Sequence, residues 1–281
     1  MVTISISPCP NDTFAFYHFL NLASHQNVEV TFEDIQKLNE RAIAGLRDVI
    51  KISFAVYPLI QEEYVILDSG AALGQGCGPL LITKKPIDLS AIHKLRIALP
   101  GINTSANRLF RLIFPNCQNV MYTTYEKVMS VVDSGVADAG VIIHENRFTY
   151  QKKGFLLAAD LGEMWAQKYH QLLPLGGIVA KRSLGMERIN QISNQIANSI
   201  QWAFQNFYDP QMRAFIEKYA QELNTDVIDQ HIKLYVNEFS IHLSEKGRLA
   251  ILSFLANDIN IKIPCFATEL VPVIHSREKI D

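Results

Sequence analysis

The sequence predicts an α/β protein of two lobes about a central cleft. Three patterns carry that prediction. Strand-like and helix-like segments alternate through the first 70 residues, and the alternation restarts near residue 94. Two segments punctuated by proline or glycine, 82–90 and 172–178, look like crossings between the two units.

In the first unit, residues 2–7 (VTISIS) read as a strand and 12–23 as a helix opened by Asn11 or Asp12. Residues 27–33 (NVEVTFE) alternate as a strand, and 36–46 are helical, ending near Gly45. Residues 49–54 (VIKISF) form a third strand, followed by a short helix and a strand at 64–68. A βαβαβ order implies parallel strands with right-handed crossovers.

The second unit opens with a strand at Leu95–Leu99, a loop at Pro100–Ser105 and a helix over 105–114. Over 126–134, Val128, Met129 and Val132 share one helical face, and Gly135 stops the helix. Ala139–Ile143 is a short buried strand. The C-terminal third is mostly helical. Ile189, Ile192, Ile196, Ile200, Ala203 and Phe207 recur at helical spacing. Asp209-Pro210 starts another helix with Asp as N-cap and Pro at the first position. Met212, Phe215, Ile216, Tyr219 and Leu223 form its apolar face, and Thr225 and Ser244 look like further N-caps. The lobes then divide as 1–86 plus 176–281 and an inserted 87–175.

Composition narrows the function classes. The chain has 281 residues, 48% hydrophobic and 19% charged, which excludes disordered, collagen-like and disulfide-scaffold readings. A net charge of −2 offers no basic face for nucleic acid or a membrane surface. No apolar run approaches the roughly 20 residues of a membrane span. The first 25 residues lack a basic n-region, and Asn11 and Asp12 interrupt their apolar character, so a cytoplasmic protein is expected. Cys9, Cys77, Cys117 and Cys265 are far apart, with no C-x-x-C and no His at ligand spacing. Free thiols and no metal or organic cofactor are expected. Monomer and homodimer both remain open.

Open parallel sheets bind ligands beyond the carboxyl ends of their strands, so the segments after each strand are the candidates. Ser7–Phe14 after the first strand fits a rigid turn with a helix cap, and also offers Asn11 or free N–H groups to a ligand. Lys51 and Ser53 share one face of the third strand. Ser53 fits a ligand donor and a helix cap equally. The glycine-rich Gly74–Pro79 does not sit between a strand and a helix, so no nucleotide fingerprint is supported, and a P-loop is absent. Its glycines suit unusual backbone angles or a close backbone approach. Thr104 and Ser105 open a helix whose free N–H groups could seat a carboxylate or phosphate, with ordinary capping by Thr104 as the alternative. His144 ends a parallel strand, where a neutral imidazole could accept a proton. H-E-x-x-H is not completed, because residue 148 is Phe. Arg147 fits an ion pair with Glu145 or another acid.

Taken together and in order, Ser7–Phe14, Leu38-Asn39, Lys51-Ile52-Ser53, Gly74–Leu80, Thr104-Ser105 and Ile143–Tyr150 resemble the 1,4-dihydroxy-6-naphthoate synthase family of the futalosine route to menaquinone. The resemblance runs from Ser7 to about Phe239. It implies a periplasmic-binding-protein-like type II fold used as an enzyme. The substrate it implies is cyclic dehypoxanthine futalosine, a small-molecule carboxylate, and the product 1,4-dihydroxy-6-naphthoate. His144 matches the family's proton acceptor, and Lys51, Ile52, Ser53, Thr104 and Ser105 match its substrate-binding segments. Ser105 stands where Thr is more usual and keeps the hydroxyl, while Asn146 stands where Ser is common. The roles of Asn11, Asn39 and Arg147 stay open. Two rivals are chorismate dehydratase of the same pathway and a non-catalytic small-anion binder. The His144–Phe148 segment and the Ser7–Asp12 loop speak against the first, and a base in the cleft against the second.

Overall fold

The computed structural model describes residues 1–23, 28–220, 224–256 and 265–267. The chain begins with β1 (Val2–Ile6), α1 (Pro10–Ala23), β2 (Val28–Phe32), α2 (Ile35–Ile43) and β3 (Val49–Ser53). β1 pairs in parallel with both β2 and β3, as the βαβαβ order requires. All five residues of β3 are buried, so this strand is covered on both faces. After a 3-10 turn come α3 (Tyr57–Ile60), β4 (Tyr64–Ile66) and β5 (Ala72–Gly74).

The second unit holds β6 (Leu80–Thr83), β7 (Ile97–Leu99), α4 (Ser105–Ile113), β8 (Val120–Tyr122), α5 (Val128–Asp133), β9 (Ala139–Ile142), α6 (Asn146–Thr149), β10 (Leu156–Asp160) and α7 (Leu161–Tyr169). The chain returns through β11 (Leu173–Lys181) and closes with α8 (Met186–Gln205), α9 (Pro210–Tyr219), α10 (Thr225–Tyr235), α11 (Glu238–Ile241) and α12 (Ser244–Leu255). Among the described residues there are two sheets. One runs β2-β1-β3-β11-β4 with β5 also paired to β11, and the other runs β10-β6-β9-β7-β8.

The helices pack by the stripes the sequence shows. Ile189, Ile192, Ile196, Ile200 and Ala203 of α8 are buried in one core with Phe14 and Phe16 of α1 and Val49 of β3. A second core joins Ile50 and Ile52 of β3 to Ile97 and Leu99 of β7 and Val141 of β9, so apolar packing is continuous from one sheet to the other. Asp209 caps α9 by accepting from the Met212 N–H at 2.8 Å, with Pro210 at the first position.

Several expected boundaries move. Residues 82–90 are not a crossing, because β6 already pairs antiparallel with β9 and β10. The chain passes between the sheets at 75–79, in the glycine-rich segment. Residues 173–178 likewise belong to β11, antiparallel to β3 and β5. Gly176 there serves close packing: a Cβ would come within 2.5 Å of the Ile52 carbonyl oxygen. α1 starts at Pro10, which puts Asn11 and Asp12 inside its first turn. Asn224, not Thr225, caps α10, and Ser244 makes no side-chain cap on α12. Strands β8 and β10 and helix α7 lie in segments the sequence left unassigned. Asn27 and Leu223 lie outside the described residues.

Candidate active site

The segments leaving β1, β3, β7 and β9 meet in one cavity, lined from both sheets. It holds about 660 Å³ of space, open solvent at its mouth included. Lys51, Ile52, Ser53, Thr104, Ser105 and His144 all stand in its wall.

The floor is a buried ion pair. Lys51 Nζ lies 2.7 Å from Asp12 Oδ1, with the residues 5% and 2% exposed. Asp12 also accepts from the Ser7 hydroxyl at 2.7 Å and from Asn11 Nδ2 at 2.9 Å. The Ser7–Asp12 segment therefore satisfies a buried carboxylate that in turn holds the lysine.

Asn39, fully buried on α2, ties three elements. Its Oδ1 accepts from the Ser53 N–H at 2.8 Å, and its Nδ2 donates to Ser53 Oγ at 3.0 Å and to the Asn103 carbonyl at 2.6 Å. Ser53 makes no helix-capping hydrogen bond. Its oxygen is an acceptor from Asn39, which leaves its own O–H proton available to a ligand. Thr104 does cap α4, accepting from the Asn107 N–H at 3.1 Å while donating to the Gly101 carbonyl. The Ser105 hydroxyl donates to the Leu175 carbonyl at 2.5 Å. Both hydroxyls are thus spent on holding the helix end. What α4 can offer an anion is the unused N–H groups of its first turn and the positive end of its dipole.

His144 follows β9 in the left-handed region, at φ 55°, where a non-glycine residue is strained and functional sites are common. Its Nδ1 lies 3.4 Å from Cys9 Sγ, Tyr125 meets the ring edge-on, and His231 lies parallel with centroids 6.3 Å apart. Burial pulls the His144 pKa below its ordinary value, with Glu145 and Asp12 pulling the other way and Lys51 assisting. Burial pushes the Cys9 thiol well above its ordinary range, so it stays S–H.

His231 is the residue that sequence reasoning missed. It is fully buried on α10, its Nε2 lies 2.9 Å from Asn11 Oδ1, and its Nδ1 has no partner among the described residues. Since Asn11 Oδ1 only accepts, Nε2 carries the ring proton. Burial, and then His144, hold the His231 pKa well below its ordinary value. Two depressed histidines have a consequence for stability. Below about pH 6.5 the unfolded chain takes up protons that the folded chain refuses, so stability rises with pH and is lost on acidification. Urea unfolding between about pH 7.5 and pH 5 is expected to show that loss, with a shallower slope in His231→Gln. An equal slope in both chains would remove His231 as a cause.

Arg147 does not pair with Glu145. Its guanidinium binds Asp160 at 2.8 Å and the Gly78 carbonyl, fastening the turn after β9 to the glycine-rich segment. Gly78 itself is needed for a close backbone approach, since a Cβ there would meet Gly162 at 2.3 Å.

The family model for menaquinone biosynthesis matches residues 2–257. This chain belongs to the menaquinone-biosynthesis family. Within the menaquinone-biosynthesis family it is 36% identical to the 1,4-dihydroxy-6-naphthoate synthase of Thermus thermophilus over 255 residues, covering 90% of this chain and 92% of that one. It is 38% identical to the enzyme of the same name from Streptomyces coelicolor, covering 90% of each chain. Among solved structures it is similar to protein AF1704 from Archaeoglobus fulgidus, with TM-score 0.83, 27% identity, and 91% and 95% of the two chains covered. The periplasmic aliphatic sulphonate binding protein SsuA from Escherichia coli shares the fold at TM-score 0.61 and 12% identity, over 91% of this chain and 87% of that one. The fold of this menaquinone-biosynthesis chain is thus periplasmic-binding-protein-like. No helix among its described residues is long and apolar enough to cross a membrane.

Proposed function

We propose that this chain is a 1,4-dihydroxy-6-naphthoate synthase acting on cyclic dehypoxanthine futalosine, with His144 as general base. The observation that carries the reading is the identity of 36% and 38% with two synthases along 90% of the chain. A cavity where all six expected residues meet is the geometry such a reaction needs.

The substrate's carboxylate sits at the N-terminus of α4, where Ser105 and Ala106 line the cavity and the dipole favours negative charge. Lys51 adds positive charge, and the Ser53 hydroxyl, turned by Asn39, donates a hydrogen bond. His144 is neutral and so able to take a proton at neutral pH. For Nε2 to be the accepting atom, Nδ1 must carry the ring hydrogen and point it at Cys9 Sγ, the partner 3.4 Å away. Proton removal starts fragmentation of the spiro-joined sugar carbon skeleton, which aromatises the ring system and releases the sugar-derived fragment. The carboxylates of Glu145 and Asp12 stabilise the imidazolium that results.

The two lobes, divided near residues 79 and 172 where the chain passes between sheets, close on the substrate and exclude water. The chain works in the cytoplasm. The test is incubation of the purified protein with cyclic dehypoxanthine futalosine, beside chorismate. Release of 1,4-dihydroxy-6-naphthoate, with chorismate unchanged, is the expected result. Saturable binding with no product would favour a capture protein.

A further inference from the structure

Cys9, His144 and Glu145 form a cluster that the proposed reaction uses only in part. Cys9 precedes α1 on the side of the first sheet, while His144 and Glu145 follow β9 of the second. One ligand atom from each lies within 4.8 Å of the other two. Tetrahedral zinc holds a cysteine sulfur at about 2.3 Å and a histidine nitrogen at about 2.0–2.1 Å, which places the two ligand atoms roughly 3.5 Å apart. The observed Sγ to Nδ1 separation is 3.4 Å. These two atoms are already spaced as ligands of one ion.

Glu145 is the second, independent observation. The residue is 6% exposed, and no hydrogen bond or ion pair reaches its carboxylate from the described residues. Arg147, two residues on, spends its charge on Asp160 instead. A bound cation would supply the missing partner. The approach is polar: a cleft lined by Glu33, Asp34, Lys37 and Glu126 opens onto Cys9 and His144, with Glu33 paired to Arg41.

We infer that Cys9, His144 and Glu145 bind a thiophilic divalent cation of the zinc class, and that the bound ion withdraws His144 from proton transfer. The ion bridges the two sheets, and Cys9 releases its proton to solvent as its sulfur binds. The inhibitory half rests on the proposed role of His144, whereas the binding half does not. Cysteine spacing gave no sign of this cluster, because 135 residues separate Cys9 from His144.

The full chain, treated with chelator and dialysed, is titrated with Co²⁺ alone for a thiolate-to-cobalt charge-transfer band and with Zn²⁺ alone by calorimetry. One ion per chain and a thiolate band are expected. Cys9→Ser is expected to lose the band, and Glu145→Gln to weaken zinc binding about tenfold or more while keeping it. Cys117→Ser, whose thiol donates to the Ile92 carbonyl instead, should keep both. Saturating Zn²⁺ should abolish turnover of cyclic dehypoxanthine futalosine, and chelator should restore it. Absence of the band in the parent overturns the inference without any variant having to fold. A band that survives Cys9→Ser overturns it too, since another thiol would then hold the metal. Turnover unaffected by bound zinc overturns the inhibitory half. A parent that shows the band but never turns over, even in chelator, leaves the site standing and sinks the synthase reading.

Discussion

Replacing His144 with asparagine or alanine is expected to lower kcat on cyclic dehypoxanthine futalosine by about 10²–10⁴-fold, the usual contribution of a positioned general base. That is roughly 3–5 kcal/mol of barrier. KM is expected to move little, because the carboxylate and hydroxyl contacts come from α4, Lys51 and Ser53 rather than from the imidazole. The asparagine variant matters for a structural reason. His144 sits at φ 55°, and asparagine tolerates the left-handed region better than alanine. His144→Asn should therefore be less destabilised than His144→Ala, and a loss of rate in the folded variant cannot be put down to lost fold. Circular dichroism and urea unfolding check that point. If either folded variant keeps near-normal kcat, another group removes the proton.

The second large effect falls on stability. Lys51→Met strips the partner from Asp12 while leaving the carboxylate buried, and is expected to cost about 3–5 kcal/mol. For a chain of this size the melting temperature should fall by on the order of 10 °C. The Ser7 and Asn11 donors to Asp12 remain and soften the loss but supply no full charge. Adding Asp12→Asn to Lys51→Met removes the stranded charge and should recover part of the deficit. The double variant is then more stable than the sum of the two single losses allows. Strict additivity of the two single effects would mean that the 2.7 Å contact carries no coupling.

The fold was legible where a pattern is local. The α8 stripe and the Asp209-Pro210 cap each declare themselves within a few residues, and the structure has both. The first three strands read correctly because β-branched runs lie between clear breaks. β10 did not, since Leu156 and Leu157 are 45% and 48% exposed on a sheet edge and show no burial alternation. Gly176 and Gly177 read as loop punctuation, although they are strand residues made small by Ile52 and Phe54 on their flanks. The site divides in the same way. His144 could be singled out because it ends a strand of a parallel unit. Its contact with Cys9 joins residues 135 positions apart, and no spacing rule reaches that far. His231 lay hidden on a helix face among Ile228, Ile232 and Tyr235, where a histidine looks like ordinary core. Asn39 was visible as a residue, but its three hydrogen bonds to Ser53 and Asn103 are tertiary facts.

The most direct test of the account is multiple turnover by the parent chain beside His144→Asn, with cyclic dehypoxanthine futalosine as the sole substrate, chelator present and product followed by chromatography. Catalytic formation of 1,4-dihydroxy-6-naphthoate by the parent, and almost none by the folded variant, is the expected result. A folded parent that binds the compound and forms no product would contradict it.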